Sequence, residues 1–302
     1  MFHISNSMMT TAKSCWKKYA WKYVMNLEPI EQRAALHLGK VVHGAFDMYY
    51  KGFTHDEVLA FIKREFDDAR SKVELSEVEN IDVARAIAVG MWMYFPKDKD
   101  IFTQVFSEKP FSVPINKNGS GVKIEGIMDG LVMKDGNWWV REFKTTSLSF
   151  RQFKERMDVS EQASLYVWAA RKLGYDVKGV VYDAIHKPLL RKGKNENCDQ
   201  FCQRIITDYK DRPEVYFQRE YVYRSDTDLK HFFEDLKAFN RDLKRKVKHG
   251  GFYRNQGSCV AFNSTCQYSK ICFSEQPDKL TLDLFYKQRE VKPDAQVPQE
   301  EN

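Results

Sequence analysis

Ile127-Met128-Asp129-Gly130-Leu131-Val132-Met133-Lys134-Asp135-Gly136-Asn137-Trp138-Trp139-Val140-Arg141-Glu142-Phe143-Lys144 is the stretch on which the reading of this chain turns. Two runs with alternating character flank Asp135-Gly136, a dipeptide that favours the two-residue type I′ turn of a β-hairpin. A turn of that length sets the register. With Asp135 and Gly136 as its central residues, Lys134 pairs with Asn137, Leu131 with Val140, and Asp129 faces Glu142. Glu142 and Lys144, two apart, share one face of their strand. Carboxylates directly opposite on a sheet repel, with Cβ atoms about 4.5 to 5.5 Å apart, so something should neutralise them. A divalent cation does so, and Mg2+ is commonly held by one or two carboxylates together with substrate phosphate. The alternative is an exposed hairpin whose Glu-Lys pair lies on a solvated face.

Outward from the hairpin, period-two alternation predicts strands over 103–114, 122–133 and 138–144. A helix is expected over 150–173, ended by Leu173-Gly174, then a strand over 177–186, a polar loop over 188–200 and a strand over 215–223. Leu229, Phe232, Phe233, Leu236, Phe239, Leu243 and Val247 recur at three- and four-residue steps, which predicts a helix over 226–248 stopped at Gly250-Gly251. Residues 1–100 read as helical, with breaks near Glu28-Pro29 and Gly52 and a stop at Phe95-Pro96. The chain thus divides into a helical region (1–100), a core (101–225), a helix and cysteine segment (226–275) and a tail (276–302). The tail, from about Lys287 on, has almost nothing apolar and is expected to be partly disordered.

Of 302 residues, 43% are hydrophobic and 14% aromatic, enough to bury a large core. The net charge of +6, from 48 basic and 42 acidic residues, is compatible with a polyanionic partner but is no basic binding tail. No apolar stretch approaches the roughly 20 residues of a membrane span, and the N-terminus lacks a signal-peptide pattern, so no membrane is expected and the location is read as cytoplasmic. In that reducing setting the six cysteines are metal ligands or core residues rather than disulfides. Gly39-Lys40 and Gly193-Lys194 lack the rest of a phosphate-cradling loop, so no NTP-driven motor is expected.

Three further patterns stand at a distance from the hairpin. Gly39-Lys40-Val41-Val42-His43 precedes it, and Gln162-Ala163-Ser164-Leu165-Tyr166 follows it with Gln162 and Tyr166 on one helix face. Cys259, Cys266 and Cys272 cluster near the C-terminus while Cys15 stands alone near the N-terminus. Taken singly, His43 also reads as a core histidine and Tyr166 as a core aromatic with its hydroxyl at the rim.

In this order the residues resemble the PD-(D/E)XK nuclease superfamily, and its RecB-type branch in particular, over residues 14 to 273. The resemblance implies an α/β fold with a restriction-endonuclease-like core, a mixed central sheet flanked by helices. It implies a Mg2+- or Mn2+-dependent deoxyribonuclease in which His43, Asp129, Glu142 and the Phe143 backbone carbonyl bind the metal. Lys144 orients the attacking water or stabilises the transition state, and Gln162 and Tyr166 position the nucleic acid. The cysteines resemble those of the iron-sulfur subgroup, which includes AddB-type, CRISPR-adaptation and phage nucleases, and imply that Cys15, Cys259, Cys266 and Cys272 hold a [4Fe-4S] cluster. Zinc is the chemical rival, although paired Cys-X-X-Cys knuckles are missing.

The expected partner is DNA with free ends, with a helicase, single-strand-binding protein or recombinase alongside. An exonuclease in recombination, repair or replication is the leading reading. CRISPR spacer processing and a non-catalytic iron-sulfur DNA-binding module are the alternatives. Cys198 and Cys202 are left over, as core packing or indifferent thiols.

Overall fold

The computed structural model describes residues 3–30, 34–97, 101–116, 121–261, 264–273 and 279–289. The chain begins with β1 (His3–Ile4), α1 (Asn6–Ser14), α2 (Trp16–Tyr19) running on as a π-helical turn, β2 (Leu27–Pro29), α3 (Ala34–Tyr50), α4 (His55–Ser71) and α5 (Leu75–Tyr94). The core elements are β3 (Thr103–Pro114), β4 (Lys123–Lys134), β5 (Asn137–Thr146), α6 (Phe150–Asp158), α7 (Glu161–Lys172), β6 (Val177–His186), α8 (Cys198–Asp211), α9 (Pro213–Tyr216) and β7 (Phe217–Tyr223). After them come α10 (Asp226–His249), β8 (Val260–Ala261), β9 (Ser264–Thr265), α11 (Ser269–Cys272), α12 (Lys279–Phe285) and β10 (Tyr286–Gln288).

These elements form two compact units interleaved along the sequence. One comprises Met1–Glu31, Pro110–Gly126 and Lys230–Asn302, the other Gln32–Lys109 and Ile127–Leu229. In the second unit β4 and β5 are antiparallel, β5 and β6 parallel, and β6 and β7 antiparallel, a mixed sheet. The parallel pair needs a crossover, which α6 and α7 supply. On one side, Phe143 and Ile185 join a core built with Phe46, Trp92, Phe201 and Tyr209 from α3, α5 and α8. Phe46 stacks on Phe143 with ring centroids 4.1 Å apart, which seats α3 on β5. On the other side lies α7, with Ala163, Leu165 and Val167 to Ala170 all buried. In the first unit, β1 runs parallel to the start of β4, and Trp16 stacks on Phe239 of α10.

The expected α/β class and mixed sheet hold, while the region read as helical, 1–100, also carries the short strands β1 and β2, the expected tail carries α12, and other elements differ. The expected helix over 150–173 is two helices, because the Ser160 hydroxyl accepts from the Ala163 amide and restarts the chain as an N-cap. The polar loop ends at Asn197, whose side chain accepts from the Gln200 amide and opens α8, a helix missing from the sequence reading. Residues 286–288, at the start of the expected disorder, pair with β2, and the Tyr286 hydroxyl donates to the Gln267 carbonyl. Residues 290–302 lie outside the described residues.

At Gly179 the backbones of β6 and β7 leave no room for a side chain: a Cβ there would meet the Val222 carbonyl oxygen at 2.1 Å and the Tyr223 Cα at 2.9 Å. Both obstacles are backbone, so the strands must move apart. Gly179→Ala is expected to cost about 1–3 kcal/mol of unfolding free energy, the usual range for overpacking, read as a lower urea midpoint.

Candidate active site

The hairpin is built as its turn chemistry dictates. Asp135 and Gly136 have φ of 50° and 73°, both in the left-handed region that a type I′ turn requires at its two central residues. The ladder runs from Lys134–Asn137 to Gly130–Arg141 in the expected register and stops there. Asp129 and Glu142 are the next residues on each strand. Instead of continuing the ladder, Asp129 Oδ2 accepts from the Phe143 amide at 3.0 Å, so a carboxylate does the work of a strand carbonyl.

Apart from Lys144 on the same strand, the other oxygen contacts come from elements far away in sequence. His43, on α3, lies with Nδ1 3.0 Å from the same Asp129 Oδ2. Glu142 Oε1 accepts from Lys144 Nζ at 2.6 Å and from Gln162 Nε2 at 2.8 Å. Glu142 is 2% exposed, and its Oε2 is buried with no hydrogen-bond partner among the described residues. Gln162 reaches it from the first turn of α7, and one turn on Tyr166 shares a hydrogen bond with Gln162. His43, Asp129, Glu142, Phe143, Lys144, Gln162 and Tyr166 are therefore all brought together within the second unit.

The electrostatics follow from burying acids beside each other. Burial, then the Asp129 charge, pushes the Glu142 carboxyl up to about 7 against the opposing pull of Lys144 and His43. Burial favours the neutral form of His43 and of Lys144, but their acidic partners outweigh it and raise both above their ordinary values. Burial and the Glu142 charge also raise the Tyr166 hydroxyl, which stays protonated.

Several residues of the site were not anticipated. Asp47 lines a pocket with His43, Tyr50, Ser107 and Asp129, and it accepts from Ser107 Oγ and Lys51 Nζ, each at 2.6 Å. Its position four residues after His43 was the available signal. Beneath the site, Arg141 is fully buried and donates through Nε and Nη2 to Asp183 Oδ2 at 2.8 and 2.7 Å. Arg219 takes the other oxygen of Asp183 at 2.8 and 2.7 Å. Arg141 also donates to the Tyr50 hydroxyl and lies over the Phe143 ring, which ties α3 to the strand carrying Glu142 and Lys144.

Among the described residues no three His, Cys, Asp or Glu side chains stand together as a ready-made metal site. At the acidic pair the reason is visible: His43 and the Phe143 amide occupy one Asp129 oxygen, and Lys144 and Gln162 occupy one Glu142 oxygen. The donor chemistry fits a hard divalent cation all the same. The Glu142 Oε2, buried beside Asp129 and without a hydrogen-bond partner among the described residues, is an oxygen that such a cation would take.

In the first unit, Cys15, Cys259, Cys266 and Cys272 line one pocket with Lys18, Trp21 and Arg254. The segments that carry them are joined: the Asn255 amide donates to Cys15 Sγ at 3.3 Å, and Asn255 Nδ2 and Ser258 Oγ donate to the Ser14 carbonyl. The Cys259 thiol is raised by its burial and then by the charges of Cys266, Cys272 and Cys15. The indole N–H of Trp21 is buried with no acceptor among the described residues.

A mixed central sheet flanked by helices is the architecture of a nuclease core of the PD-(D/E)XK kind. The sequence model of the PD-(D/E)XK nuclease superfamily matches residues 3–273, and the chain belongs to that superfamily. Among curated proteins none matches it. Among the described residues no helix is long and apolar enough to cross a membrane.

Proposed function

We propose that the protein is a Mg2+- or Mn2+-dependent deoxyribonuclease acting from DNA ends, an exonuclease of the RecB-like kind. The observation that carries the nuclease reading is the meeting of Asp129, Glu142 and Lys144 with His43 and Gln162 in one compact unit. The end-directed part rests on the likeness of the Gly-X-X-X-His and Gln-X-X-X-Tyr motifs to those of RecB-type enzymes.

Asp129, Glu142, His43 and the Phe143 carbonyl would hold the metal, which when bound lowers the pKa of a coordinated water and neutralises charge on the scissile phosphate. An imidazole among the ligands favours Mn2+. Lys144 orients the attacking water and stabilises the negative charge that builds on the phosphate. Gln162 holds Glu142 by its Oε1 and leaves Oε2 for the metal. Tyr166, kept protonated, donates to a backbone phosphate of the bound strand.

The test is hydrolysis of single- and double-stranded DNA, linear and covalently closed. EDTA is expected to stop the reaction, Mg2+ or Mn2+ to restore it, and closed circles to resist. Cutting of circles as fast as linear DNA would remove the end-directed part. No hydrolysis of any DNA with either metal would remove the whole reading.

The shared pocket of Cys15, Cys259, Cys266 and Cys272 supports their reading as ligands of a [4Fe-4S] cluster, with the basic Lys18 and Arg254 beside the thiolates. Anaerobic purification is expected to yield brown protein with about four iron atoms per chain, and Cys266→Ser to lose both colour and iron. Colourless protein carrying zinc would assign the pocket to zinc instead.

A further inference from the structure

Two thiols remain outside both sites. Cys198 and Cys202 lie on α8 in the second unit, both half-buried, with Sγ atoms 3.9 Å apart. They are one helical turn apart and so lie one above the other on a single face. A disulfide needs Cβ atoms about 3.5–4.5 Å apart, whereas residues four apart on a helix keep them about 5–6 Å apart. Closing the bond would unwind the first turn and break the Asn197 cap.

A bridging metal ion needs no such movement. Two metal–sulfur bonds of about 2.3 Å spanning that gap enclose an angle of about 116°, between the tetrahedral and trigonal values. Thiolates select soft ions over the hard cations that suit the Asp129–Glu142 pair.

We propose that Cys198 and Cys202 chelate a soft d10 metal ion of the Zn2+, Cd2+ or Cu+ class without change of helix geometry. Binding releases the two thiol protons to solvent and leaves both sulfurs at the same oxidation level. Among the described residues no third protein ligand completes the set, so the remaining positions are filled from outside the chain and the ion exchanges readily. Bound metal staples the first turn of α8, whose Phe201, Ile205 and Tyr209 are buried in the core shared with α5, and it therefore stabilises the folded state by mass action. The site stands independently of the nuclease reading.

The test uses reduced, full-length protein titrated with Cd2+ without oxygen, followed by the thiolate-to-cadmium absorption band. Cys198→Ser and Cys202→Ser are each expected to weaken the same equivalent of Cd2+ about a hundredfold, as loss of one arm of a chelate does. Each should also abolish that equivalent's rise in the thermal midpoint, with circular dichroism showing α8 intact. A Cys259→Ser/Cys266→Ser double variant is expected to keep it. Equal Cd2+ affinity and stoichiometry in wild type and both single variants would overturn the proposal. So would an intact mass two hydrogens lighter in the presence of Cd2+, which would report a Cys198–Cys202 disulfide instead.

Discussion

Lys144→Ala is expected to lower DNA hydrolysis roughly 10²- to 10³-fold, the loss that follows removal of one transition-state charge donor, while leaving the protein folded. Its Nζ lies 2.6 Å from Glu142 Oε1, and its side chain is 30% exposed, so the group lies at the edge of the site rather than in the core. Truncation leaves Gln162 on Glu142 Oε1, which limits the structural damage. Lys144→Arg is not expected to rescue, because a planar fork replaces a compact ammonium in a site already occupied by Gln162. The measurement is single-turnover cleavage at saturating Mn2+, with thermal unfolding alongside. Activity within a few fold of wild type in a folded variant would remove Lys144 from the chemistry.

Asp183→Ala is expected to cost about 3–5 kcal/mol of stability, a large share of the roughly 5–15 kcal/mol that holds a domain together. The Asp183 side chain is 3% exposed and is the shared acceptor of Arg141, itself fully buried, and of Arg219. Without it, the two guanidinium groups, set beside the aromatic rings of Tyr50, Phe102 and Phe143, lose the buried carboxylate they share. The protein should unfold at a much lower urea concentration. What survives should also bind the proposed divalent metal less well, since Arg141 links Tyr50 of α3 to the strand bearing Glu142. A loss below about 1 kcal/mol would mean that solvent or another acceptor compensates the arginines. The two variants separate the roles: Lys144→Ala removes chemistry with the fold kept, Asp183→Ala removes the fold beneath the chemistry.

Parts of this molecule were legible because their causes are local. Asp135-Gly136 takes positive φ at both positions as its residue types allow, and that one turn carries the register to Gly130–Arg141. The α6–α7 break carried a local signal too, since Ser160 and Glu161 form a helix start inside an apolar pattern that reads as continuous. Arg141 had no such signal. Within Trp139-Val140-Arg141-Glu142-Phe143 an arginine reads as the solvent-facing member of an alternating strand, and its burial depends on Asp183, 42 residues away, and Tyr50, 91 residues away.

The acidic pair itself divides the same way. That Asp129 and Glu142 lie side by side with Lys144 near them follows from turn length and the two-residue strand period, both properties of neighbouring residues. That the ladder stops short of them, that His43 and the Phe143 amide share one oxygen of Asp129, and that Glu142 is buried with one oxygen unpartnered among the described residues was decided only when α3 and α7 packed against the sheet. Desolvation and ion pairing depend on which distant segments exclude water from a site, and a local pattern carries no record of that.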